Sequence, residues 1–272
     1  MTDHHIRRLG RALYHLDDLE AEVDAWLEEH PHRIWTTIEP DDASKKDVYC
    51  EVFRKPPAHL SLIVGDCIHN LRSALDNLVY ELAIAYHDAH RSGPLPSTTA
   101  ERLMFPIFDT RKEFKRRGEY RIKGFLDPGA QRTIEKLQPY NQEDKGKHAH
   151  NDLLWKLNEL SVRDKHRLPP VASAVNLISL SFFVPEGIET DEVRPMFTVF
   201  EDRAPIASYP AVDKTGAEVD IGFVPVFSVG FSHLVPKELL GRQIPELLRL
   251  IHRHITNEVL PPLSPYLRET GE

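Results

Sequence analysis

Two short polar segments contain the residues whose types and spacing are best suited to chemistry. The first segment, GDCIHNLRSALDNL, begins at Gly65, and its polar residues follow one another at three- and four-residue steps. Such steps bring side chains together on a helix, so the segment predicts one connected polar strip along an otherwise apolar helix. The strip consists of Asp66, His69, Asn70, Arg72, Ser73 and Asp76.

The setting of this strip leaves two explanations open. A charged group taken out of water is costly unless it is paired, so a polar strip on an apolar helix favours a ligand-binding or catalytic site. The alternative is structural. Arg72 and Asp76 would then form an intrahelical pair that faces water, or the strip would pair with another helix and fix its register.

The second segment, LNELSVRDKHRLPP, ends an apolar helix with a run of charged residues before two prolines. Its cations complement the dipole at a helix C-terminus, which is the simplest structural explanation. Histidine, lysine and arginine together are also suited to hold a phosphate and to move protons near neutral pH. The run consists of Arg163, Asp164, Lys165, His166 and Arg167. We predict that this run meets the strip in space and that the two form a single polar site.

A third feature is the basic stretch from Arg111 to Lys123, which has seven basic and two acidic residues. This local excess of positive charge is typical of a surface for a phosphate-rich partner, although a solvated helix face explains it as well. The net charge of −8 argues against a chain coated with basic residues for DNA binding. The predicted substrate-binding residues are Asn70, Arg72, Lys165 and Arg167, together with Lys115, Arg116 and Arg117.

A metal site is the second chemical interpretation of the same residues. Asp66 and His69 have i, i+3 ligand spacing, and Asp164 with His166 could complete a coordination shell. The neighbouring cationic side chains would repel a metal ion, so we predict no metal and no cofactor. No Rossmann or P-loop glycine pattern and no GxSxG motif occurs in the sequence.

Composition indicates an ordinary globular protein, since 41% of the 272 residues are hydrophobic and 28% are charged. The N-terminal residues lack the apolar core of a secretory signal, and no run approaches the roughly 20 apolar residues of a membrane span. We therefore predict a cytoplasmic protein without a membrane partner. Cys50 and Cys67 are too few for a disulfide framework, and Cys67 is expected to pack as a small apolar residue.

The order of predicted elements favours an α+β fold, because no repeated βαβ alternation occurs. Residues 1–168 are expected to form a helical bundle with a small β-hairpin at 33–54, whose turn is the polar DDASKK. Residues 169–272 are expected to form an antiparallel sheet from 171–233 and a C-terminal helix, sharing one core with the bundle. The predicted helices are 6–29, 58–90, 110–123, 129–138, 152–162 and 245–260.

Four motifs together resemble a group of uncharacterised bacterial and phage-borne proteins, over about residues 60–168. They are GDCIHNLRSALDNLVYEL, the FPIF at Phe105–Phe108, the QPY at Gln138–Tyr140 and LNELSVRDKHR. More loosely, long helices with polar residues and a terminal Arg and His are similar to HEPN domains, many of which are metal-independent ribonucleases in defence and toxin systems. In that family four to six residues usually separate the Arg and the His, whereas two separate Arg163 from His166.

The resemblance to HEPN domains implies an endoribonuclease that acts on RNA in phage defence. His166 would then be the general acid or base, Asp66 or Asp164 would orient its imidazole, and His69 would belong to the same catalytic group. Arg163, Lys165 and Arg167 would stabilise charge on the phosphate.

The alternative is a non-catalytic binding or scaffold protein with a structural polar network. In that network Asp66, Arg72, Asp164 and Arg167 would form salt bridges. A homodimer is a further expectation, with His252 and His254 of the last helix as surface or dimer-contact residues.

Overall fold

The computed structural model describes most of the chain, whose contacts group the residues into two compact units. Unit 1 consists of Met1–Asp17, Ile63–Pro169 and Leu247–Glu272, and unit 2 consists of Asp18–Leu62 and Pro170–Glu246. The described residues are 3–39, 41–90, 95–141, 148–165, 174–183, 193–196, 199–200, 202–231, 235–239 and 242–267.

The six predicted helices occur in the predicted order, with ends that differ by a few residues. The described helices are α1 (His4–Glu28), α2 (Leu60–His90), α3 (Ser97–Ala100), α4 (Arg111–Glu113), α5 (Glu119–Ile122), α6 (Pro128–Lys136), α7 (Leu153–Lys165) and α8 (Ile244–His254). A π-helical segment, Phe114–Gly118, joins α4 to α5, and a second one, Ile255–Val259, extends α8. The helix predicted at 110–123 is thus divided into α4, a π-helical segment and α5, and the short α3 was not predicted. Among the described residues, no helix is both long and apolar enough to cross a membrane.

The strands form two antiparallel sheets. They are β1 (His32–Glu39), β2 (Asp42–Val52), β3 (Ala174–Phe183), β4 (Arg194–Pro195), β5 (Val199–Phe200), β6 (Arg203–Pro210) and β7 (Gly222–Gly230). The strand orders are β1-β2-β6-β4 in one sheet and β5-β3-β7 in the other. The prediction of an α+β fold with antiparallel sheet in the C-terminal half is confirmed, although the described strands form two sheets rather than one.

The hairpin differs from its prediction at the turn. Strand β2 already begins at Asp42, so most of the polar DDASKK belongs to the strand. Lys45 and Lys46 pair there with Pro210 and Tyr209 of β6. Nζ of Lys46 also donates to the carbonyl oxygen of Val219 over 2.8 Å. These partners lie more than 160 residues further along the chain, so a local pattern could not indicate them.

Helix α2 is the central helix of unit 1 because apolar side chains cover most of its circumference. Nine of these side chains have no exposed surface, namely Leu60, Val64, Cys67, Ile68, Leu71, Leu75, Leu78, Val79 and Ala83. The Cys67 thiol lies 3.6 Å from the carbonyl oxygen of Ala12. Burial raises the pKa of this thiol to about 12, as expected for a cysteine that packs as a small apolar residue.

The two units divide the chain differently from the predicted boundary between residues 168 and 169. The hairpin lies in unit 2, where β2 pairs with β6, whereas residues 247–272 lie in unit 1. Asp127 caps the start of α6, since its Oδ1 accepts a hydrogen bond from the Gly129 amide over 2.6 Å, and Pro128 is the first residue of the helix.

Candidate functional site

Unit 1 contains a pocket of about 360 Å³ between three parts of the chain. Arg72 reaches it from α2, and residues 104–109 border it as an extended segment. The remaining side chains come from α4, the π-helical segment Phe114–Gly118, α5 and α7. Pockets of this size hold small ligands, roughly 300 to 1,000 Å³ being usual. The lining residues are Arg72, Met104, Ile107, Phe108, Asp109, Glu113, Arg117, Arg121, Trp155, Asn158, Glu159, Ser161 and Val162.

Arg72 is the most unusual residue of this pocket because its side chain is only 6% exposed. Its Nη2 atom donates to Oδ1 of Asp76 over 2.9 Å and to the carbonyl oxygen of Phe105 over 2.7 Å. Its Nη1 atom is buried and has no hydrogen-bond partner among the described residues. Burial lowers the pKa of the Arg72 guanidinium, and Asp76 opposes that shift. An arginine nevertheless stays charged, so Arg72 is a buried cation with an unused donor.

The extended segment beside Arg72 is fixed from two sides. Asp76 accepts from the Phe105 amide over 2.9 Å, which ties the segment to α2. The buried Gln138 accepts from the Phe108 amide over 3.1 Å and donates to the carbonyl oxygen of Pro106 over 2.8 Å. The Gln138 side chain of the QPY motif is therefore joined to the backbone of the FPIF motif by two hydrogen bonds, which hold one wall of the pocket in place.

The basic stretch separates into side chains with different surroundings. Lys115 forms ion pairs with Glu119 and, over 3.0 Å, with Glu135 of α6, and it does not line the pocket. Arg116 pairs with Glu113 over 2.8 Å, and Nη1 of Arg117 lies 3.7 Å from the same carboxylate. Of the three predicted substrate-binding residues in this stretch, only Arg117 lines the pocket.

Arg121 lies one helical turn beyond Arg117 and also lines the pocket. It forms no ion pair within the described part of the chain. Burial lowers the pKa of the Arg121 guanidinium, with Asp76 opposing the shift and Arg117 adding to it. The positive charge of Arg121 also lowers the pKa of Arg72. The arginines of the pocket are therefore close enough to repel one another electrostatically.

The apolar wall of the pocket includes Trp155, whose ring is supported from outside the pocket. The imidazole of His150 stacks on it with a centroid distance of 4.2 Å and an interplanar angle of 16°. Nε2 of His150 in turn lies 3.3 Å from Oδ2 of Asp109. Asp109 and Trp155 are therefore both held in position by His150, which lies in the short 3₁₀ turn Ala149–Asn151 before α7.

The predicted polar strip is not one surface. Asp66 and His69 are exposed, and Nε2 of His69 lies 3.5 Å from Oγ of Ser73. Asn70 is buried, and its Oδ1 accepts from Nη1 of Arg8 in α1 over 3.2 Å. Arg72 faces the pocket instead. The strip prediction was wrong for Asn70 and Arg72, because side chains two residues apart on a helix point to opposite sides.

The second predicted segment approaches α2 at one described point. A β-carbon built at Gly65 would lie 3.1 Å from Oδ1 of Asp164. Asp164 thus reaches the part of α2 next to Asp66, while the preceding turn of α7 contributes Ser161 to the pocket. Arg163 is partly exposed near the end of α7 and does not line the pocket. The side chain of Lys165 and the whole of His166 and Arg167 lie outside the described residues.

Several pocket residues were missed from the sequence, above all Arg121, Asp109 and Trp155. Arg121 stands four residues after Arg117, a spacing that places both on one helix face and that could have been recognised. Nothing local indicates that Trp155 and Asp109 share a pocket, because they are brought together by packing between α7 and the extended segment. Asn158, Glu159 and Ser161 carry no motif either.

His252, predicted as a surface or dimer-contact residue, is partly exposed. Burial lowers the pKa of its imidazole, and a backbone hydrogen bond with Leu9 opposes that shift. No cluster of three or more metal-ligating side chains occurs among the described residues.

The chain matches no protein-family model, and neither a curated protein nor a solved structure matches it significantly.

Proposed function

We propose that this protein is directed to RNA and that the pocket of unit 1 binds its phosphate backbone. One observation carries the proposal. Arg72 lines the pocket together with Arg117 and Arg121, and its buried guanidinium has an unpaired Nη1 atom. Burial of a hydrogen-bond donor without a partner lowers stability by about 1 to 3 kcal/mol. A ligand that accepts a hydrogen bond from Nη1 would remove this cost, so the site favours such a ligand.

A phosphate group is the ligand that best satisfies this donor. Its oxygens accept hydrogen bonds in the planar geometry that a guanidinium offers, and its charge compensates the buried cation. Asp76 and the Phe105 carbonyl engage only Nη2 of Arg72, which leaves Nη1 for an incoming oxygen. Arg117 and Arg121 supply further positive charge from a neighbouring element.

An extended polyanion fits the surroundings better than a lone anion does. An adjoining, more open depression shares Met104, Arg117 and Arg121 with the pocket. It adds Arg102 and Arg116, and the guanidinium of Arg102 lies over the Tyr120 ring, 4.3 Å from its centroid. Arginines beside aromatic rings are a common surface for single-stranded nucleic acid, whose successive phosphates need successive cations.

The proposal extends to metal-independent cleavage of the RNA, as the HEPN-like resemblance implies. His166 would take the proton of a 2′-hydroxyl, whose oxygen attacks the adjacent phosphorus. A 2′,3′-cyclic phosphate would form, and a protonated acid would return a proton to the departing 5′-oxygen. Lys165 and Arg167 would stabilise the charge on the phosphate, with Asp164 orienting the imidazole.

The second candidate is a non-catalytic binding or scaffold protein. It is favoured by the Arg72, Asp76 and Phe105 hydrogen bonds, which hold α2 to the extended segment irrespective of any ligand. Under this alternative the polar network contributes only to stability. The two candidates differ in what Arg117 and Arg121 do, because neither arginine belongs to that network.

Binding of a fluorescent single-stranded RNA to the full chain, followed by anisotropy over a range of salt concentrations, tests the proposal. We expect Arg117→Gln to weaken binding and to reduce the slope of log K against log salt by roughly 0.7 to 0.9, as loss of one phosphate contact does. Lys115→Gln removes the same charge from the same stretch, but Lys115 is occupied by Glu119 and Glu135, so it is the matched control.

Equal effects of the two substitutions, or an absence of RNA binding, would refute the proposal. Cleavage is tested separately on the same RNA. His166→Ala should abolish product formation and leave affinity unchanged, whereas the scaffold alternative predicts no product from either protein.

A further inference from the structure

The pocket around Arg72 has two chemically different sides. Arg72, Arg117 and Arg121 supply cationic donors, while Phe108, Ile107 and Trp155 supply apolar surface. A bare anion uses only the first side, and an apolar ligand uses only the second. A ligand that carries a phosphate and an aromatic ring uses both.

We infer that this pocket receives a single unstacked nucleotide, with its phosphate against Arg72 and its base against Trp155. The inference rests on the proposed function and names the part of the RNA that enters the site. The rest of the strand would follow the adjoining depression that Arg102 and Arg116 border.

The position of Trp155 supports this assignment. Its indole is 8% exposed and lines the pocket, and its ring is backed by the stacked imidazole of His150. Asp109 lies 3.3 Å from that imidazole, so the aromatic wall is fixed before a ligand arrives. Stacking of a base on a ring that is already fixed costs less conformational entropy than stacking on a side chain that must first be ordered.

The charges of the pocket favour one phosphate rather than several. Asp109, Glu113 and Glu159 line the same space as the three arginines, so the formal charges balance. Asp109 contacts His150, and Glu113 pairs with Arg116 and, over 3.7 Å, with Arg117. Glu159 has neither a hydrogen bond nor an ion pair with any other described residue. Its carboxylate can accept a hydrogen bond from a ring or amino N–H of a base but would repel additional phosphates.

The volume of the pocket also favours a single nucleotide. A pocket of about 360 Å³ lies near the lower end of the range for small-molecule sites, so it can enclose one nucleotide but not a stacked pair or a duplex. A base must therefore leave its stack to enter. Single-stranded RNA permits this at little cost, whereas a duplex must first be unpaired.

Calorimetric titration of the full chain with adenosine 5′-monophosphate, ribose 5-phosphate and adenosine tests the inference. We expect the monophosphate to bind about ten times more tightly than either fragment, because only it contacts both sides. Trp155→Leu should remove this advantage over ribose 5-phosphate, and Trp155→Phe should restore most of it. Trp35→Leu is the control, since Trp35 lies in β1 of unit 2 and stacks on Tyr49 at 5.6 Å.

Two outcomes would overturn the inference. One is equal affinity for the monophosphate and ribose 5-phosphate. The other is a Trp155→Leu variant, folded by circular dichroism, that loses affinity for both phosphates equally. Anisotropy with the fluorescent single-stranded RNA distinguishes failure of the nucleotide pocket from failure of the proposed function. If RNA still binds in an Arg117-dependent way, only the nucleotide pocket fails, and if RNA does not bind, the proposed function fails with it.

Discussion

Arg72 and Asp76 lie one turn apart on α2, and Nη2 of Arg72 donates to Oδ1 of Asp76 over 2.9 Å. The same oxygen of Asp76 accepts from the Phe105 amide. This carboxylate therefore positions the arginine and the adjacent wall together, while Nη1 of Arg72 is left for a ligand. A structural role and a binding role consequently belong to different atoms of one guanidinium.

Asp76→Asn is expected to destabilise the protein by about 2 kcal/mol, since it removes the charge that compensates Arg72. The amide oxygen still accepts from the Phe105 amide, so the fold should persist. Urea denaturation gives the stability, and RNA anisotropy gives the affinity. We expect affinity to be retained, because the phosphate is proposed to bind Nη1 of Arg72, whereas Asp76 contacts Nη2. Unchanged stability would show that Asp76 does not compensate the buried cation.

The contact between Gly65 and Asp164 is expected to behave as a coupled pair. Gly65→Ala gains about 0.5 to 1 kcal/mol of helix stability, but the new β-carbon presses on Oδ1 of Asp164, 3.1 Å away. In an Asp164→Ala background the gain should be realised in full. A double-mutant cycle by chemical denaturation measures the difference. Additive effects within about 0.3 kcal/mol would mean that the two residues do not interact.

Stability should fall as the pH drops through about 6.5, partly because of His252. Burial lowers the pKa of its imidazole below 6.5, nearby Arg249 and Arg253 add to the shift, and the hydrogen bond with Leu9 opposes it. The unfolded chain therefore binds the proton more readily, and the stability present above pH 6.5 is lost as this site protonates. His252→Gln should reduce the difference in melting temperature between pH 7.5 and pH 5. An identical difference in both proteins would contradict this assignment.

Features set by local patterns were predictable from the sequence. The apolar spacing along residues 58–90 predicts the helix that the structure shows as α2, and the prediction at 129–138 corresponds to α6. The hairpin was recognised from its β-branched and aromatic residues. Each of these features depends on neighbouring residues, so no knowledge of distant contacts was needed.

The site depended on contacts that a local pattern does not encode. Lys115 and Arg117 look equivalent in the sequence, but Glu135 of α6 pairs with Lys115 and leaves Arg117 beside the pocket. Asn70 was grouped with Arg72 although about 200° separates them on a helix, an error that helical geometry alone could have corrected. The role of His166 stays a prediction, since this residue lies outside the described part of the chain.

The affinity of Arg72→Lys for single-stranded RNA tests the central claim most directly. Lysine keeps the positive charge and can still reach Asp76, but it lacks the guanidinium fork that serves Asp76 and a phosphate at once. If Arg72 binds phosphate, anisotropy at fixed salt should show affinity lower by about tenfold for a variant that still unfolds cooperatively. The same affinity as the wild type would contradict the account and leave Arg72 as a purely structural residue.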